Sequence, residues 1–366
     1  MAAFDLIVIG AGIVGTACAE LAVREGLRVA VVESGAVGGG ATSAAMGHLV
    51  AMDDDPAELA LSRYSLGLWE RFASLPEAEF SRCGTLWVAR EDSEFASVAA
   101  KIARLAAAGV HARRIEADEL YRLEPALAAG LRGGMLVADE AVVYPPRVAL
   151  HLLGLAREGG ASCLLGRRAI GLSADGVRLD DGSSLIGPVL VATGCALPEL
   201  LPRLPMRSRK GHLVITERYP GRVHHQLLEL GYADSAHGDA DSSVAFNVQP
   251  RPTGQILIGS SREFGVDDRE VSPAMLRRML ERAFAFVPML RELQALRVWT
   301  GFRPTTFDGR PYIGAVADRA HTWVAAGHEG LGVTTALGTA RLLIDQMLGR
   351  APAIDPAPFL PARALQ

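Results

Sequence analysis

The chain has 366 residues, 49% of them hydrophobic, which supplies enough apolar surface for two interleaved domains of a globular protein. Its 37 basic and 41 acidic residues give a net charge of −4 without a basic block, so we expect no binding to nucleic acid. The four cysteines are widely spaced, which predicts reduced thiols in a cytoplasmic protein and no metal site. Apolar stretches end well before the roughly 18 residues of an integral membrane span, which leaves only peripheral membrane contact open.

The N-terminus predicts a strand–helix–strand unit. Residues 4–9 form a continuous apolar run, typical of a strand buried on both faces of a parallel sheet. Helical periodicity follows from Ile13 to about Glu25, and a second apolar strand, 28–32, ends before Glu33. These elements have the order and size of a βαβ unit.

A glycine motif joins the first strand to the first helix. Gly10, Gly12 and Gly15 match the pattern G-x-G-x-x-G. The first glycine permits a tight turn, the second lets the backbone approach a pyrophosphate, and the third lets the helix pack close to the sheet. The free N–H groups at the helix start, around Ile13 and Val14, would meet the negative charge.

Glu33 follows Gly15 by 18 residues, where a carboxylate can accept hydrogen bonds from a ribose diol. Together with the glycine motif, this spacing predicts a dinucleotide site, against the alternative of a tight turn without a ligand. NAD and FAD both present an ADP half to such a unit, so the motif by itself leaves both open.

A second glycine-rich turn, near the C-terminus, favours FAD. Residues 327–334 (GHEGLGVT) lie between an apolar strand and a long predicted helix. A helix N-terminus carries about half a positive charge, and aimed at a flavin it would stabilise the anionic reduced ring. Because an NAD dehydrogenase has no use for this element, we expect FAD.

The middle of the chain alternates between two kinds of structure. Runs of alternating and β-branched residues at 83–89 and 244–260 predict antiparallel strands, whereas 144–158 and 188–194 return as a helix and a buried strand. The predicted fold class is therefore α/β and α+β, a Rossmann-like FAD-binding domain with an inserted antiparallel-sheet substrate domain. The predicted boundaries are 1–50, 140–210 and 305–366 for the FAD-binding domain and 51–139 and 211–304 for the substrate domain.

Short motifs from the first strand to the last helix form one pattern: GAGIVG at 10–15, Glu33-Ser34, GGGATSAAMG at 38–47, Ala192-Thr193-Gly194, GFRP at 301–304 and DGRPYIG at 308–314. This pattern resembles the D-amino acid oxidase family, nearest its glycine oxidase and sarcosine oxidase branches. The likeness covers nearly the whole chain, and the motifs are specific in combination.

The resemblance implies which residues contact the FAD beyond the first glycine motif. His48 does not lie where relatives attach their flavin covalently, so we expect noncovalent FAD. The implied FAD contacts are Glu33, Ser34, Ala41, Thr42, Ser43, Met46, Gly47, His48, Ala169, Thr193, Gly194, His328, Glu329, Gly330, Leu331, Gly332, Val333 and Thr334.

The resemblance also implies two catalytic residues. Arg303 matches the arginine that fixes the substrate carboxylate, and a guanidinium offers a planar fork that meets a carboxylate through two parallel hydrogen bonds. Such a clamp would align the substrate Cα–H with flavin N5 for hydride transfer. The alternative for Arg303 is a salt bridge at the domain seam. His48 is expected beside the flavin ring, where it would accept a substrate proton or hydrogen-bond the ring; the alternative is an ordinary packed polar residue.

Departures from the glycine oxidase pattern bear on the substrate. Asn247 replaces a pocket tyrosine, and Gly330 stands where another arginine would reach the substrate. The segment 259–264, which includes Arg262, resembles instead the FAD-bearing β subunits of D-hydroxyproline dehydrogenase, opine oxidase and hydrogen cyanide synthase. The likeness implies a cyclic or N-substituted D-imino acid such as D-hydroxyproline, with an opine, a primary D-amino acid or a glycine/sarcosine-type substrate as alternatives.

The same β-subunit resemblance leaves a second function open. Those subunits work beside an α subunit and a small iron–sulfur subunit, so this chain would then be a flavin carrier for electron relay within a complex. The chain contains no cluster motif of its own.

Overall fold

The computed structural model describes residues 3–52, 55–231 and 241–365. The helices are α1 (Ile13–Arg24), α2 (Pro56–Trp69), α3 (Asp92–Ala107), α4 (Ala117–Leu123), α5 (Pro145–Glu158), α6 (Leu197–Leu200), α7 (Pro273–Phe286) and α8 (Gly332–Met347). The strands are β1 (Leu6–Ile9), β2 (Val29–Glu33), β3 (His48–Leu49), β4 (Thr85–Ala89), β5 (Arg113–Glu116), β6 (Gly133–Val137), β7 (Ala141–Val142), β8 (Ser162–Leu165), β9 (Ala169–Leu172), β10 (Gly176–Leu179), β11 (Ser184–Ile186), β12 (Val189–Val191), β13 (Arg207–Arg218), β14 (Gln226–Glu229), β15 (Ser242–Pro250), β16 (Gln255–Phe264), β17 (Ala295–Thr305), β18 (Tyr312–Ala315) and β19 (Thr322–Ala326).

A six-stranded sheet in the order β18-β19-β12-β1-β2-β8 carries the N-terminal unit. Its pairs are parallel except β18 with β19, and β1 lies between β12 and β2. The apolar strands are buried on both faces, as their continuous hydrophobic runs predict. Leu6 and Val8 face a core that includes α1, α5 and α8, whereas Ile7 and Ile9 face the small sheet β9–β11. The predicted Rossmann-like sheet is confirmed.

An eight-stranded sheet in the order β17-β13-β16-β15-β14-β4-β6-β5 forms the second layer. It is antiparallel apart from the parallel pair β14 and β4, which departs from the all-antiparallel sheet expected from the sequence. One face packs on α7, where the rings of Phe246 and Phe286 stack at 4.2 Å. Because side chains alternate along a strand, the next residue, Asn247, points to the opposite face.

The predicted strand region 244–260 contains an antiparallel hairpin. β15 ends at Pro250, a turn at 251–254 follows, and β16 begins at Gln255. The turn is closed by a hydrogen bond from the Gly254 N–H to the Arg251 carbonyl, 2.8 Å. β13 begins at 207 and so runs across the position 210/211 at which the sequence predicts a boundary between the two domains.

Candidate active site

The first glycine motif forms a turn that only glycine can make. Gly10 has φ +102°, and a Cβ there would press on the carbonyl of Ala192. A Cβ on Gly15 would collide with the Gly10 carbonyl oxygen, so this glycine is what lets α1 start directly against the strand end. The Ile13 N–H donates to the Thr42 hydroxyl at 3.0 Å, which ties the helix start to the 38–47 segment.

The Glu33 carboxylate lies over this turn at the end of β2. It accepts hydrogen bonds from the Ala11 N–H at 2.7 Å and the Gly35 N–H at 2.6 Å, so its position is fixed from both sides. A cavity of about 130 Å³ adjoins it. That cavity brings together residues predicted to contact the cofactor: Gly10, Glu33, Ser34, Ala169 and Thr193.

A second cavity, of about 220 Å³, connects the two glycine turns. A Cβ on Gly12 would have Thr42 Oγ1 as its nearest neighbour at 3.4 Å, and one on Gly194 or Gly330 would meet no atom within 4 Å. A side chain at these positions would therefore occupy the cavity, which fits a cradle for an extended dinucleotide. Its predicted cofactor residues are Gly10, Gly12, Ile13, Val14, Glu33, Ala41, Thr42, Thr193, Gly194, His328, Glu329, Gly330, Gly332 and Val333.

The C-terminal turn directs a helix start into the same region. A 3-10 turn over Glu329–Leu331 leads directly into α8, whose first residue, Gly332, lines the 220 Å³ cavity. His328 is buried below this turn with its Nε2 3.0 Å from the Thr339 hydroxyl, and burial lowers its pKa to about 3. The imidazole is therefore neutral at pH 7 and serves as a packed support for the turn.

Two predicted cofactor residues hold backbone and do not line either cavity. The Ser43 hydroxyl donates to the Gly39 carbonyl at 2.9 Å, and the Thr334 hydroxyl donates to the His48 carbonyl at 2.9 Å. Thr334 in this way fastens α8 to β3. A direct contact of either side chain with FAD remains a prediction.

A third cavity, of about 100 Å³, lies between the 41–48 segment and the large sheet. It brings together the predicted catalytic and substrate residues with part of the predicted flavin segment: Ala41, Met46, Gly47, His48, Asn247, Arg262, Arg303, Glu329 and Gly330. Glu329 and Gly330 line this cavity as well as the 220 Å³ one, so the C-terminal turn borders both the cofactor side and the substrate side.

Arg303 lies flat against the sheet because of the strand beside it. The register of β13 and β17 pairs Gly211 with Gly301, and a Cβ on Gly211 would collide with the Arg303 guanidinium. The guanidinium is held further by a hydrogen bond from Nη1 to the Ser261 carbonyl at 3.0 Å. The sequence analysis assigned no role to Gly211, which belongs to no motif, or to Ser261, which lies in the 259–264 segment but contributes only its backbone carbonyl to this contact.

Arg209 is a further residue that the sequence analysis missed. It is paired directly with Arg303 across β13 and β17, and it is 5% exposed. Glu329 Oε1 lies 3.9 Å from Arg209 Nη1, 3.5 Å from Arg262 Nε and 3.9 Å from Arg303 Nε. Three guanidiniums from three neighbouring strands thus surround one carboxylate of the C-terminal turn.

His48 presents a neutral imidazole to the third cavity. Burial lowers its pKa to about 4, the charge of Arg251 acts in the same direction, and a hydrogen bond with Gln249 opposes them. Its Nε2 is buried and has no hydrogen-bond partner among the described residues. The Asn247 Oδ1 atom is in the same situation on the opposite wall. Because buried polar atoms are normally hydrogen-bonded, both residues carry an unsatisfied atom next to this cavity.

The described residues, 3–52, 55–231 and 241–365, also bear on membrane insertion and on metal binding. No helix in that part of the chain has the length and hydropathy that a membrane crossing requires. The same residues include no group of three or more His, Cys, Asp or Glu side chains that could hold a metal ion.

Comparisons with known proteins agree with this geometry. The family profile described as "DAO: FAD dependent oxidoreductase" matches residues 5–346. The chain is 29% identical to a glycine oxidase of Pseudomonas aeruginosa, covering 98% of this chain and 99% of that protein. It is 32% identical to D-amino acid dehydrogenase 2 of Ralstonia nicotianae, covering 83% and 75% respectively. The crystal structure of glycine oxidase from Geobacillus kaustophilus superposes with a TM-score of 0.88 at 25% identity, covering 98% of each chain. The chain therefore belongs to the DAO family of FAD-dependent oxidoreductases.

Proposed function

We propose that the protein oxidises the Cα–N bond of a D-imino or D-amino acid, with D-hydroxyproline or a similar cyclic or secondary amine as the substrate suggested by its sequence. The observation that supports this most is Arg303, which lies in the same cavity as His48 and Asn247 and beside the turn that borders the cofactor cradle. A carboxylate anchor, an uncharged imidazole and an amide are a set suited to an amino acid.

Arg303 would bind the substrate carboxylate. Its hydrogen bond to the Ser261 carbonyl and its seat over Gly211 fix the plane of the guanidinium. A fixed planar fork forms two parallel hydrogen bonds with a carboxylate at little entropic cost. Binding at this point orients the Cα–H bond of the substrate, and orientation is the main contribution that the protein makes to the reaction.

The reaction requires the removal of one hydrogen with its electron pair and one proton. Bound FAD supplies the acceptor for the Cα hydrogen and its two electrons. The amine reacts in its neutral form, after its ammonium proton has gone to solvent, and its nitrogen lone pair then forms the C=N bond. The remaining N–H proton also goes to solvent, directly or relayed by the Nε2 atom of His48, which its lowered pKa keeps uncharged at pH 7. Water hydrolyses an open-chain imine, whereas a cyclic imine persists.

The test of this proposal is anaerobic reduction of the bound flavin by a panel of amino and imino acids, followed by absorbance. We expect bleaching by at least one secondary or D-amino acid. Arg303→Ala should lower kcat/KM on the order of 10²- to 10³-fold, because a charged partner is lost from a partly desolvated pair. Arg297→Ala, on the same strand but exposed, is the matched control. An oxidised spectrum that no member of the panel changes would overturn the proposal.

An oxidase for glycine or sarcosine is the alternative that the similarity to glycine oxidases favours. Both compounds belong in the same panel, and a preference for glycine over every larger amine would select this alternative.

The α subunit and the small iron–sulfur subunit remain predictions, as does the cytoplasmic location. For a subunit that only relays electrons, Arg303→Ala would leave electron transfer between partners intact.

A further inference from the structure

We propose that Asn247 and Ser260 recognise a hydroxyl group on the ring of the substrate, so that the enzyme prefers a hydroxylated cyclic imino acid to the unsubstituted one. The inference rests on the proposed function and narrows its substrate class. It assigns a role to Ser260, and it gives Asn247 a partner of stated chemistry.

The first step is that two buried polar groups border the cavity of the carboxylate anchor. Asn247 and Ser260 are 2% and 1% exposed, and both line the 100 Å³ cavity together with Arg303. Among the described residues, neither the Asn247 Oδ1 atom nor the Ser260 Oγ atom has a hydrogen-bond partner. A buried polar atom without a partner costs free energy, which a hydrogen bond from a ligand in the cavity offsets.

The second step is that the sheet turns both groups toward the segment predicted to contact the flavin. Asn247 on β15 is paired with Gly259 on β16, and side chains of paired residues lie on the same face. A Cβ on Gly259 would lie 2.9 Å from the Met46 Sδ atom, so this face abuts the 41–48 segment. Ser260 follows Gly259 directly and borders the same cavity.

The third step is the separation from the carboxylate anchor. The Arg303 side chain starts on β17, passes over Gly211 of β13 and donates to the Ser261 carbonyl of β16 at 3.0 Å. Its guanidinium therefore lies next to the strand of Ser260 and one strand away from Asn247. Neighbouring strands are about 4.8 Å apart. A five-membered ring holds a carboxylate and a hydroxyl two ring carbons away at a comparable separation, so one ring can reach both.

The fourth step concerns charge. The charged residues of the described chain that line this cavity are Arg303, Arg262 and Glu329, and the last two lie 3.5 Å apart, so that their charges offset each other. Asn247 and Ser260 are neutral. The Asn247 Oδ1 atom accepts hydrogen bonds and needs a donor, which a second carboxylate cannot supply. A hydroxyl both donates and accepts, so it can bond the amide and the serine together.

The consequence is a distinction between two substrates of nearly the same size. A site that hydrogen-bonds a substrate hydroxyl discriminates against the analogue that lacks it, because the buried polar groups of the site are then left without a partner. We therefore expect D-hydroxyproline to be preferred over D-proline.

The deciding experiment is the binding of cyclopentanecarboxylate and 3-hydroxycyclopentanecarboxylate to the FAD-loaded protein, measured by isothermal titration calorimetry. Both probes lack the amine and cannot be oxidised in the proposed reaction. They differ by one hydroxyl, at the ring position that carries it in 4-hydroxyproline. We expect the best-binding stereoisomer of the hydroxylated probe to bind at least about tenfold more tightly than cyclopentanecarboxylate.

Ser260→Ala and Asn247→Leu test the two partners. Each should bring the ratio of the two affinities to within about threefold of one, and each should bind cyclopentanecarboxylate at least as tightly as the wild type, because an unpaired polar atom has been removed. Ser243→Ala is the matched control and should keep the wild-type ratio. Ser243 lies on the same strand as Asn247, and its Oγ is also buried without a partner among the described residues, but it does not line the cavity. The flavin spectrum and a thermal melt show that each variant is folded and loaded.

Equal affinity of the wild type for the two probes would overturn the inference, and so would Ser260→Ala and Asn247→Leu variants that keep the wild-type ratio. In a second measurement, flavin reduction, D-hydroxyproline should exceed D-proline by on the order of 10- to 100-fold in kcat/KM, and equal values would also overturn it. If no amine reduces the flavin while the hydroxylated probe still binds more tightly, the proposed function fails and the hydroxyl recognition stands. If an amino or imino acid reduces the flavin while the two probes bind equally, the hydroxyl recognition is wrong and the proposed function stands.

Discussion

At the scale of single residues, buried neutral histidines make the protein sensitive to acid. The pKa values of His48 and His212 are lowered to about 4 and that of His328 to about 3, in each case first by burial. In the unfolded chain these groups return to the ordinary value of 6.5. Between pH 6.5 and about pH 4 the unfolded state therefore binds more protons than the folded state. The stability that the neutral histidines contribute is present above pH 6.5 and is lost as the pH falls toward 4.

His48→Gln tests this sign. The free energy of unfolding of the wild type, measured in urea from pH 7 to pH 4, should decrease as the pH falls. In the variant this decrease should be smaller, because one group that binds a proton on unfolding has been removed. The same lowered pKa predicts no ionisation of His48 in the kcat/KM profile above pH 5. An inflection near pH 6.5 that disappears in the variant would show that this imidazole titrates normally and would contradict the prediction.

At the scale of elements, the pairing of β13 with β17 decides where the carboxylate anchor lies. Gly211→Ala should leave the strand intact but displace the Arg303 guanidinium, since the added Cβ would collide with it. A displacement of about 1 Å lowers kcat/KM on the order of 10²-fold. Steady-state kinetics measure the loss of activity, and a thermal melt shows whether the variant is still folded. Together they distinguish a displaced guanidinium from an unfolded protein. Gly154→Ala is the control, because a Cβ there meets no atom within 4 Å.

The same elements explain what the sequence could and could not predict. The strand–helix–strand unit, the Gly10 turn and the position of Glu33 follow from spacing along the chain, and the structure agrees with each. Arg209 and Gly211 acquire their roles from register between strands that are about ninety residues apart, which no local pattern encodes. Ser43 and Thr334 lie within motifs, yet their side chains bond the backbone, a choice that depends on packing.

At the scale of the whole molecule, the cofactor cradle joins residues from both ends of the chain, from Gly10 to Val333. FAD should therefore stabilise the fold as a unit, by about 2.7 kcal/mol when free FAD is at 100 times its Kd. We expect Tm to rise with added FAD, and acid precipitation to release unmodified FAD to the supernatant. Gly12→Val should lose the FAD-dependent rise, because its side chain would occupy the cradle. Flavin that stays with the precipitate would contradict noncovalent binding.

The turn at Glu329 and Gly330 borders both the cofactor cradle and the 100 Å³ cavity that holds Arg303. The two residues are adjacent in the chain and lead into the start of α8, so a shift of the Glu329 carboxylate away from the arginines also moves the wall of the cradle. Occupancy of the two sides is then energetically linked, and such linkage is reciprocal. If the binding of an anion changes the affinity for FAD by some factor, the binding of FAD changes the affinity for that anion by the same factor.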